Sequence, residues 1–105
     1  MTLIWDEKAE ESLLQISDYI YLNFGEQSET KFQQEVLHTT NQLLNNPNMC
    51  ALDPLLVGRS HAYRSTIINR RSKMVYYVDE TSETIRIAAF WDCRREPLAQ
   101  TVHLN

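Results

Sequence analysis

The sequence contains few of the residues that interrupt a folded chain. Its 105 residues include two glycines and three prolines, which leaves little material for flexible linkers. No apolar run approaches the roughly 18 residues that a membrane-spanning helix needs, so we expect no membrane segment. The N-terminus has no basic region and soon becomes acidic, which argues against a secretory signal. The length predicts a single domain, residues 1–105.

Cysteine is also scarce. Cys50 and Cys93 are far apart in the sequence and form no CxxC or Cys/His spacing. We therefore expect two reduced core thiols rather than a disulfide or a metal site. The sequence indicates no metal and no other cofactor.

The net charge of −4 is unevenly distributed. Residues 1–50 contain eight acids and two bases, whereas residues 51–105 contain six acids and eight bases. Residues 54–78 contain bases and no acid. This pattern places a local basic region on an acidic body, unlike a protein that coats nucleic acid over its whole surface. The plainer interpretation is a solvated strand edge whose arginines promote solubility.

The N-terminal half has the apolar periodicity of two helices. One stripe with spacings of three or four predicts a first helix of about 18 residues: Trp5, Ala9, Leu13, Ile16, Ile20 and Phe24. Asp6 fits its N-cap, and Gly25 fits a left-handed C-terminal cap. A second helix is predicted over about residues 27–45 and ends before Pro47. Its predicted buried residues are Phe32, Val36, Leu43 and Leu44. The two helices form an antiparallel hairpin.

In the second half the apolar period changes to two. Residues 62–68, 73–78 and 83–91 are rich in β-branched and aromatic side chains, and turn-forming segments separate them. They predict a three-stranded antiparallel meander, with residues 2–5 as an added edge strand. The predicted fold is therefore α+β, with the helix hairpin packed on one face of a small sheet and the other face open.

Strand alternation suggests a candidate site on the open face. Arg64 and Lys73 are expected to share this face, because an unpaired charge in the core is costly. The segment FWDCRREP, residues 90–97, leaves the last strand and is expected to bring Arg94 and Arg95 to the same surface. Phe90 or Trp91 would anchor this exit in the core, and Pro97 would end the strand pairing. In the plainer interpretation, Arg94 pairs with Asp92 or Glu96.

The ordered elements resemble the RelE/ParE superfamily of type II toxin–antitoxin toxins. The similar segments are DYIYLNFGE (18–26), NNP (45–47), Tyr63-Arg64, VYYV (75–78) and a final strand that ends in arginine. The resemblance extends over nearly the whole chain. It implies a cytoplasmic toxin of the plasmid-stabilisation type, which arrests growth unless its cognate antitoxin binds it.

The resemblance implies two possible activities that share one fold, so the fold does not choose between them. One branch inhibits DNA gyrase, and the other is a metal-independent endoribonuclease that cuts messenger RNA on the ribosome. The nuclease needs a base, an acid and cations around the phosphate that the 2′-hydroxyl attacks. Catalytic or target-binding positions are assigned by this resemblance to Arg64, Lys73 and Arg94. Further candidate binding residues are Arg71, Tyr77 and Arg95.

Several departures weaken the nuclease interpretation. Thr66 stands at the second basic position of the first meander strand, and His103 is the one candidate for a C-terminal proton donor, on a tail expected to be mobile. The acidic net charge also opposes binding to RNA phosphates. By a narrow margin we expect a protein-directed toxin of the gyrase-inhibitor type. The alternatives are ribosome-dependent messenger RNA cleavage and an inactive relative that serves as a binding module.

Overall fold

The computed structural model describes residues 1–95 and 97–104. Its elements follow the chain in this order: β1 (Thr2–Trp5), α1 (Glu7–Phe24), α2 (Glu26–Asn45), a 3-10 turn (Pro54–Leu56), β2 (Arg64–Ile68), β3 (Ser72–Asp79), β4 (Thr84–Asp92) and the short α3 (Pro97–Gln100). The predicted α+β class, with two helices followed by a meander, is confirmed. No helix in the described ranges combines the length and the apolarity that crossing a bilayer requires.

A single residue, Gly25, separates the two long helices. Its φ of +93° lies in the region that favours glycine, and its N–H donates to the carbonyl of Tyr21 at 2.9 Å. The φ is positive, but ψ is extended at 177°, so Gly25 does not form the predicted left-handed cap. Between the helices, the Ser17 hydroxyl donates to Glu29 and accepts from the Gln33 amide. A polar network thus joins the two helices of the hairpin.

The buried stripe of the hairpin is shorter than predicted. Trp5 belongs to β1 rather than to α1. Phe24 is 57% exposed and Leu44 is 39% exposed, because each lies in the last turn of its helix. Asp6 occupies the predicted N-cap position, but its side chain makes no capping hydrogen bond and instead accepts from Arg86 at 2.9 Å.

The four strands form one sheet in the order β1-β4-β3-β2. Strands β2, β3 and β4 are the predicted antiparallel meander, whereas β1 pairs in parallel with β4. The edge strand expected over residues 2–5 is therefore present, and it makes the sheet mixed. Because β1 leads directly into α1, this pairing places the start of the hairpin against β4.

A β-bulge in β4 determines which side chains reach the main core. Val75 pairs with Ala89 and Tyr76 pairs with Ile87, so Ala88 is left over between them. Ile87 and Phe90 can therefore both point toward the helices, although strict alternation would put them on opposite faces. The main core contains the following buried residues: Ala9, Ile20, Phe32, Val36, Leu43, Ile68, Met74, Tyr76, Ile85, Ile87 and Phe90.

The prediction that the second sheet face is open was wrong for much of its area. A second apolar cluster covers it: Leu56, Tyr63, Val75, Ala88, Ala89, Trp91 and Leu104. The tail was expected to be mobile, yet Arg59 donates to the carbonyls of Thr101 and Leu104 at 2.9 and 2.8 Å. The loop before β2 and the C-terminal segment are thus tied together over this face.

Candidate functional site

Lys73 lies on the second sheet face, as predicted, but its charge is neutralised there. Its Nζ is 2.6 Å from Oδ2 of Asp53 and 5.6 Å from the centre of the Trp91 ring. The Asp53 side chain is 1% exposed and that of Lys73 is 19% exposed. Burial alone would raise the pKa of Asp53, but hydrogen bonds from Lys73, the Leu55 N–H and Ser65 outweigh it and lower that pKa. Lys73 therefore sits in a structural ion pair.

Arg64 lies on the opposite face from Lys73, which corrects the prediction that the two share a surface. Arg64 pairs with Tyr76 across the β2–β3 ladder, and residues paired in this way point to the same side of a sheet. Tyr76 is fully buried beneath the helices. The guanidinium of Arg64 donates to the carbonyl of Cys50 at 2.6 Å. Arg64 therefore ties the segment after α2 to the sheet, at the edge of the main core.

Tyr77 faces the second apolar cluster and is partly covered. The imidazole of His61 stacks on its ring at 3.9 Å with an interplanar angle of 10°. Tyr63 makes edge-to-face contacts with both rings, at 5.5 and 5.7 Å. His61 thus occupies one face of the Tyr77 ring and closes that face to a stacking RNA base.

The tail histidine also has a defined place. Nε2 of His103 lies 3.0 Å from the carbonyl of Ala88, the bulge residue of β4. This contact places the imidazole at the edge of β4, beside Lys8 and Glu11 of α1, whereas the sequence predicted a mobile tail. It does not join His103 to Arg64, because Arg64 is in β2 and β3 lies between β2 and β4.

The exit from β4 forms a different cluster, on the side of α1. The side chain of Arg94 donates to both carboxylate oxygens of Asp92, at 3.1 and 2.8 Å. This pair confirms the plainer interpretation of Arg94. Hydrogen bonds to Asp92 and then to Tyr19 raise the pKa of Arg94, and the Arg94 guanidinium lowers the pKa of Asp92. Phe90 and Trp91 are both buried, so the predicted anchoring of the exit is confirmed.

Two further predictions about the exit need correction. Strand pairing ends at Asp92, before Pro97, and Pro97 instead begins α3. Cys93 is exposed rather than buried in the core, while Cys50 is half-buried, and both thiols are free.

Arg71 and Arg95 join Arg94 along a cleft between α1 and the β4 exit. One part of the cleft, about 310 Å³, is lined by residues that include Ile16, Tyr19, Phe90, Arg94 and Arg95. The adjoining part, about 250 Å³, is lined by residues that include Tyr19, Phe24, Lys31, Arg71 and Asp92. We call the two parts together the exit cleft. The guanidinium of Arg71 lies 5.9 Å from the Phe24 ring centre.

The predicted site residues therefore fall into three places. Arg64 is at the edge of the main core, Lys73 is on the second face with Tyr77, and the other three arginines line the exit cleft. Phosphoryl transfer requires cations and proton-transfer groups within hydrogen-bond distance of one phosphate. Arg64 and Lys73 cannot meet that condition together, because the sheet lies between them. No group of three His, Cys, Asp or Glu side chains within residues 1–95 and 97–104 is placed to hold a metal.

Comparison with known proteins identifies the family. A family model described as the ParE toxin of type II toxin–antitoxin system, parDE, matches residues 3–97. The chain belongs to the ParE toxin family. The resemblance to the RelE/ParE superfamily inferred from the sequence is thus confirmed, and the matching family is ParE.

A solved structure of the chromosomal ParDE toxin–antitoxin system from P. aeruginosa is similar to this ParE-family chain. The TM-score is 0.69 and the identity is 22%, over 88% of this chain and 95% of the other. At that identity the likeness concerns the fold alone. Among curated proteins, none matches the sequence.

Sequence reasoning missed two kinds of residue in this ParE-family fold. The available signal for Asp53 is an acid beside Pro54, just before a segment with five bases, which favours an ion pair. Tyr19 and Phe24 cannot be recognised as site residues from the sequence, because the periodicity predicts only that Phe24 is buried. Their exposures of 44% and 57%, beside arginines, are visible only in the folded chain.

Proposed function

We propose that this chain is the toxin of a type II toxin–antitoxin module, that a cognate antitoxin neutralises it, and that it arrests growth by inhibiting DNA gyrase. The observation that carries the choice of target is the separation of Arg64 from Lys73 by the thickness of the sheet. A nuclease site built on those positions would need both cations at one phosphate. Family membership supports the toxin role, and the ParE side of the superfamily agrees with a protein target.

Charge supports the same proposal. Lys73 and Arg94 are each paired with a carboxylate, so each has less positive charge to offer a phosphate. The chain as a whole is acidic, at −4. A protein that works against ribosomal and messenger RNA gains affinity by neutralising phosphates, and a net negative charge opposes that gain. A bacterial topoisomerase as target places the toxin in the cytoplasm, where we expect this single domain to act.

The proposal is tested by two assays on one preparation of toxin. Supercoiling of relaxed plasmid by purified gyrase should be inhibited in proportion to toxin concentration, and addition of the antitoxin should restore it. Primer extension on translated messenger RNA should show no cleavage by the same preparation. The matched control is toxin that has been mixed with antitoxin before either assay.

The outcomes separate the alternatives. Cleaved message with normal supercoiling would replace the proposal with the ribosome-dependent nuclease. Normal supercoiling, intact message and normal growth during expression would identify an inactive relative that acts as a binding module. Inhibited supercoiling with intact message is the result that we expect.

A further inference from the structure

The exit cleft combines positive charge with exposed aromatic rings on a protein that is otherwise acidic. Four basic side chains and one carboxylate line it among the described residues, an excess of three positive charges: Lys31, Arg71, Arg94, Arg95 and Asp92. Its floor is apolar and includes Ile16, Phe90 and Trp91. Tyr19 and Phe24 stand beside these cations and are largely exposed.

Two of the cations of the cleft, Arg94 and Arg71, are held in position before any partner binds. Asp92 holds the Arg94 guanidinium through two hydrogen bonds, and Arg71 lies over the ring of Phe24. Arginine and tyrosine are enriched among the residues that contribute most to protein–protein binding. Side chains that are already ordered lose less conformational entropy when a partner arrives, so the same contacts yield a tighter complex.

The surroundings of the cleft favour an acidic peptide segment over a nucleic acid. Residues 1–50 contain eight acids and two bases, but the hairpin residues that line the cleft include no acid and one base, Lys31. Duplex DNA carries one phosphate per roughly 1.7 Å of its length, so a nucleic acid longer than the cleft would extend past these cations onto a protein that is acidic overall. A protein segment has its charge on one or two side chains, and its neighbouring apolar side chains match the floor of the cleft.

We propose that the exit cleft is the surface by which this toxin docks on gyrase, and that it takes an acidic segment of gyrase flanked by apolar residues. This inference rests on the proposed function. Arg71 and Arg95 supply charge that no ion pair within residues 1–95 and 97–104 neutralises. Tyr19 and Phe24 supply the aromatic contact. Arg94 is the third arginine of the exit cleft.

The test compares two kinds of charge reversal by their effect on gyrase inhibition. One kind changes arginines that line the cleft, and the other changes an arginine beside it. The double variant Arg71→Glu, Arg95→Glu should raise the toxin concentration that half-inhibits supercoiling by about tenfold or more. The matched control is Arg70→Glu, because Arg70 is the sequence neighbour of Arg71, is exposed and does not line the cleft. The control should change inhibition by less than about twofold. Phe24→Ala should weaken inhibition by about tenfold through the lost aromatic contact.

Three measurements keep the interpretation specific. Thermal unfolding and antitoxin binding should be unchanged in each variant, which excludes misfolding and excludes the antitoxin as the ligand of the cleft. Binding of gyrase holoenzyme to immobilised wild-type toxin should weaken with rising ionic strength more steeply than binding to the double variant. A short single-stranded RNA should bind wild type and double variant equally weakly.

Each contrary result has a definite meaning. Wild-type toxin that fails to inhibit gyrase overturns the proposed function and this inference with it. Wild-type inhibition that survives both charge reversals, or that Arg70→Glu reduces equally, overturns the inference alone. Loss of antitoxin binding instead of gyrase inhibition reassigns the cleft to the antitoxin, and tight RNA binding lost in the double variant reassigns it to nucleic acid.

Discussion

Nζ of Lys73, in the middle of the sheet, lies 2.6 Å from Oδ2 of Asp53, in the loop that precedes β2. Asp53 is almost wholly buried, and its other carboxylate oxygen accepts from the N–H of Leu55 at 2.8 Å. Trp91 lies under the ammonium group at 5.6 Å. A residue that sequence reasoning assigned to catalysis or target binding thus anchors a loop on the second sheet face.

We expect substitutions of Lys73 and Asp53 to have non-additive effects on the free energy of unfolding. Lys73→Met leaves a buried carboxylate without its cation, and Asp53→Leu leaves an ammonium group that is only 19% exposed. Each single change should lower the free energy of unfolding by about 2–4 kcal/mol, somewhat less than for a fully buried pair. The double variant should lose clearly less than the sum of the two. Urea unfolding measures all three, with exposed Lys31→Met as the control, expected within about 0.5 kcal/mol of wild type. Strictly additive losses would contradict the coupling.

Acid should lower the free energy of unfolding, partly because Asp53 becomes protonated. Its pKa in the folded chain is lower than the ordinary value of 3.8. The stability from the ionised carboxylate is therefore fully present above that ordinary value and is lost as the pH falls through the lowered folded pKa. Unfolding free energies measured over a range of acidic pH should fall steeply for wild type below about pH 4 and less steeply for Asp53→Asn. Parallel curves for wild type and Asp53→Asn would show that another carboxylate, such as Asp92, causes most of the loss of stability at acidic pH.

Arg64 should contribute to stability rather than to target binding. Arg64→Ala removes a charged donor from the carbonyl of Cys50 and should cost about 1–3 kcal/mol. Inhibition of supercoiling, measured with the folded fraction held equal, should stay within about twofold of wild type, as expected for a residue outside the interface. Arg70→Ala serves as the exposed control. A large loss of inhibition with an unchanged melting temperature would place Arg64 at the target after all.

The C-terminal segment should stabilise the fold. Leu104 is 7% exposed in the second apolar cluster, and Leu104→Ala should cost about 2–3 kcal/mol by losing that packing. Arg59→Ala should lower the melting temperature as well, because it removes two donors from the segment's carbonyls. Hydrogen exchange should then accelerate in Leu104 and its neighbours before it does in β3. Unchanged melting of Leu104→Ala, with exposed Val102→Ala as the matched control, would contradict this role.

Local patterns along the chain determined the elements and their order. The periodicity of three and four placed both helices, the shift to a period of two placed the meander, and Gly25 marked the corner between the helices. These signals are readable because helix and strand periods depend on neighbouring residues and on one buried face. The family resemblance was readable for the same reason, since it rests on ordered local segments.

The tertiary structure alone decided which of these residues meet. Arg64 and Lys73 were separated by the register of β2 against β3, and Ile87 and Phe90 were brought to one face by the bulge at Ala88. Register and bulges depend on pairing between segments distant in sequence, and a shift of one residue exchanges the two faces of a strand. The covering of the second face likewise depended on a tail that packs back from the far end of the chain. Alternation within each strand contains no information about these partners, so the positions of the charges had to come from the folded protein.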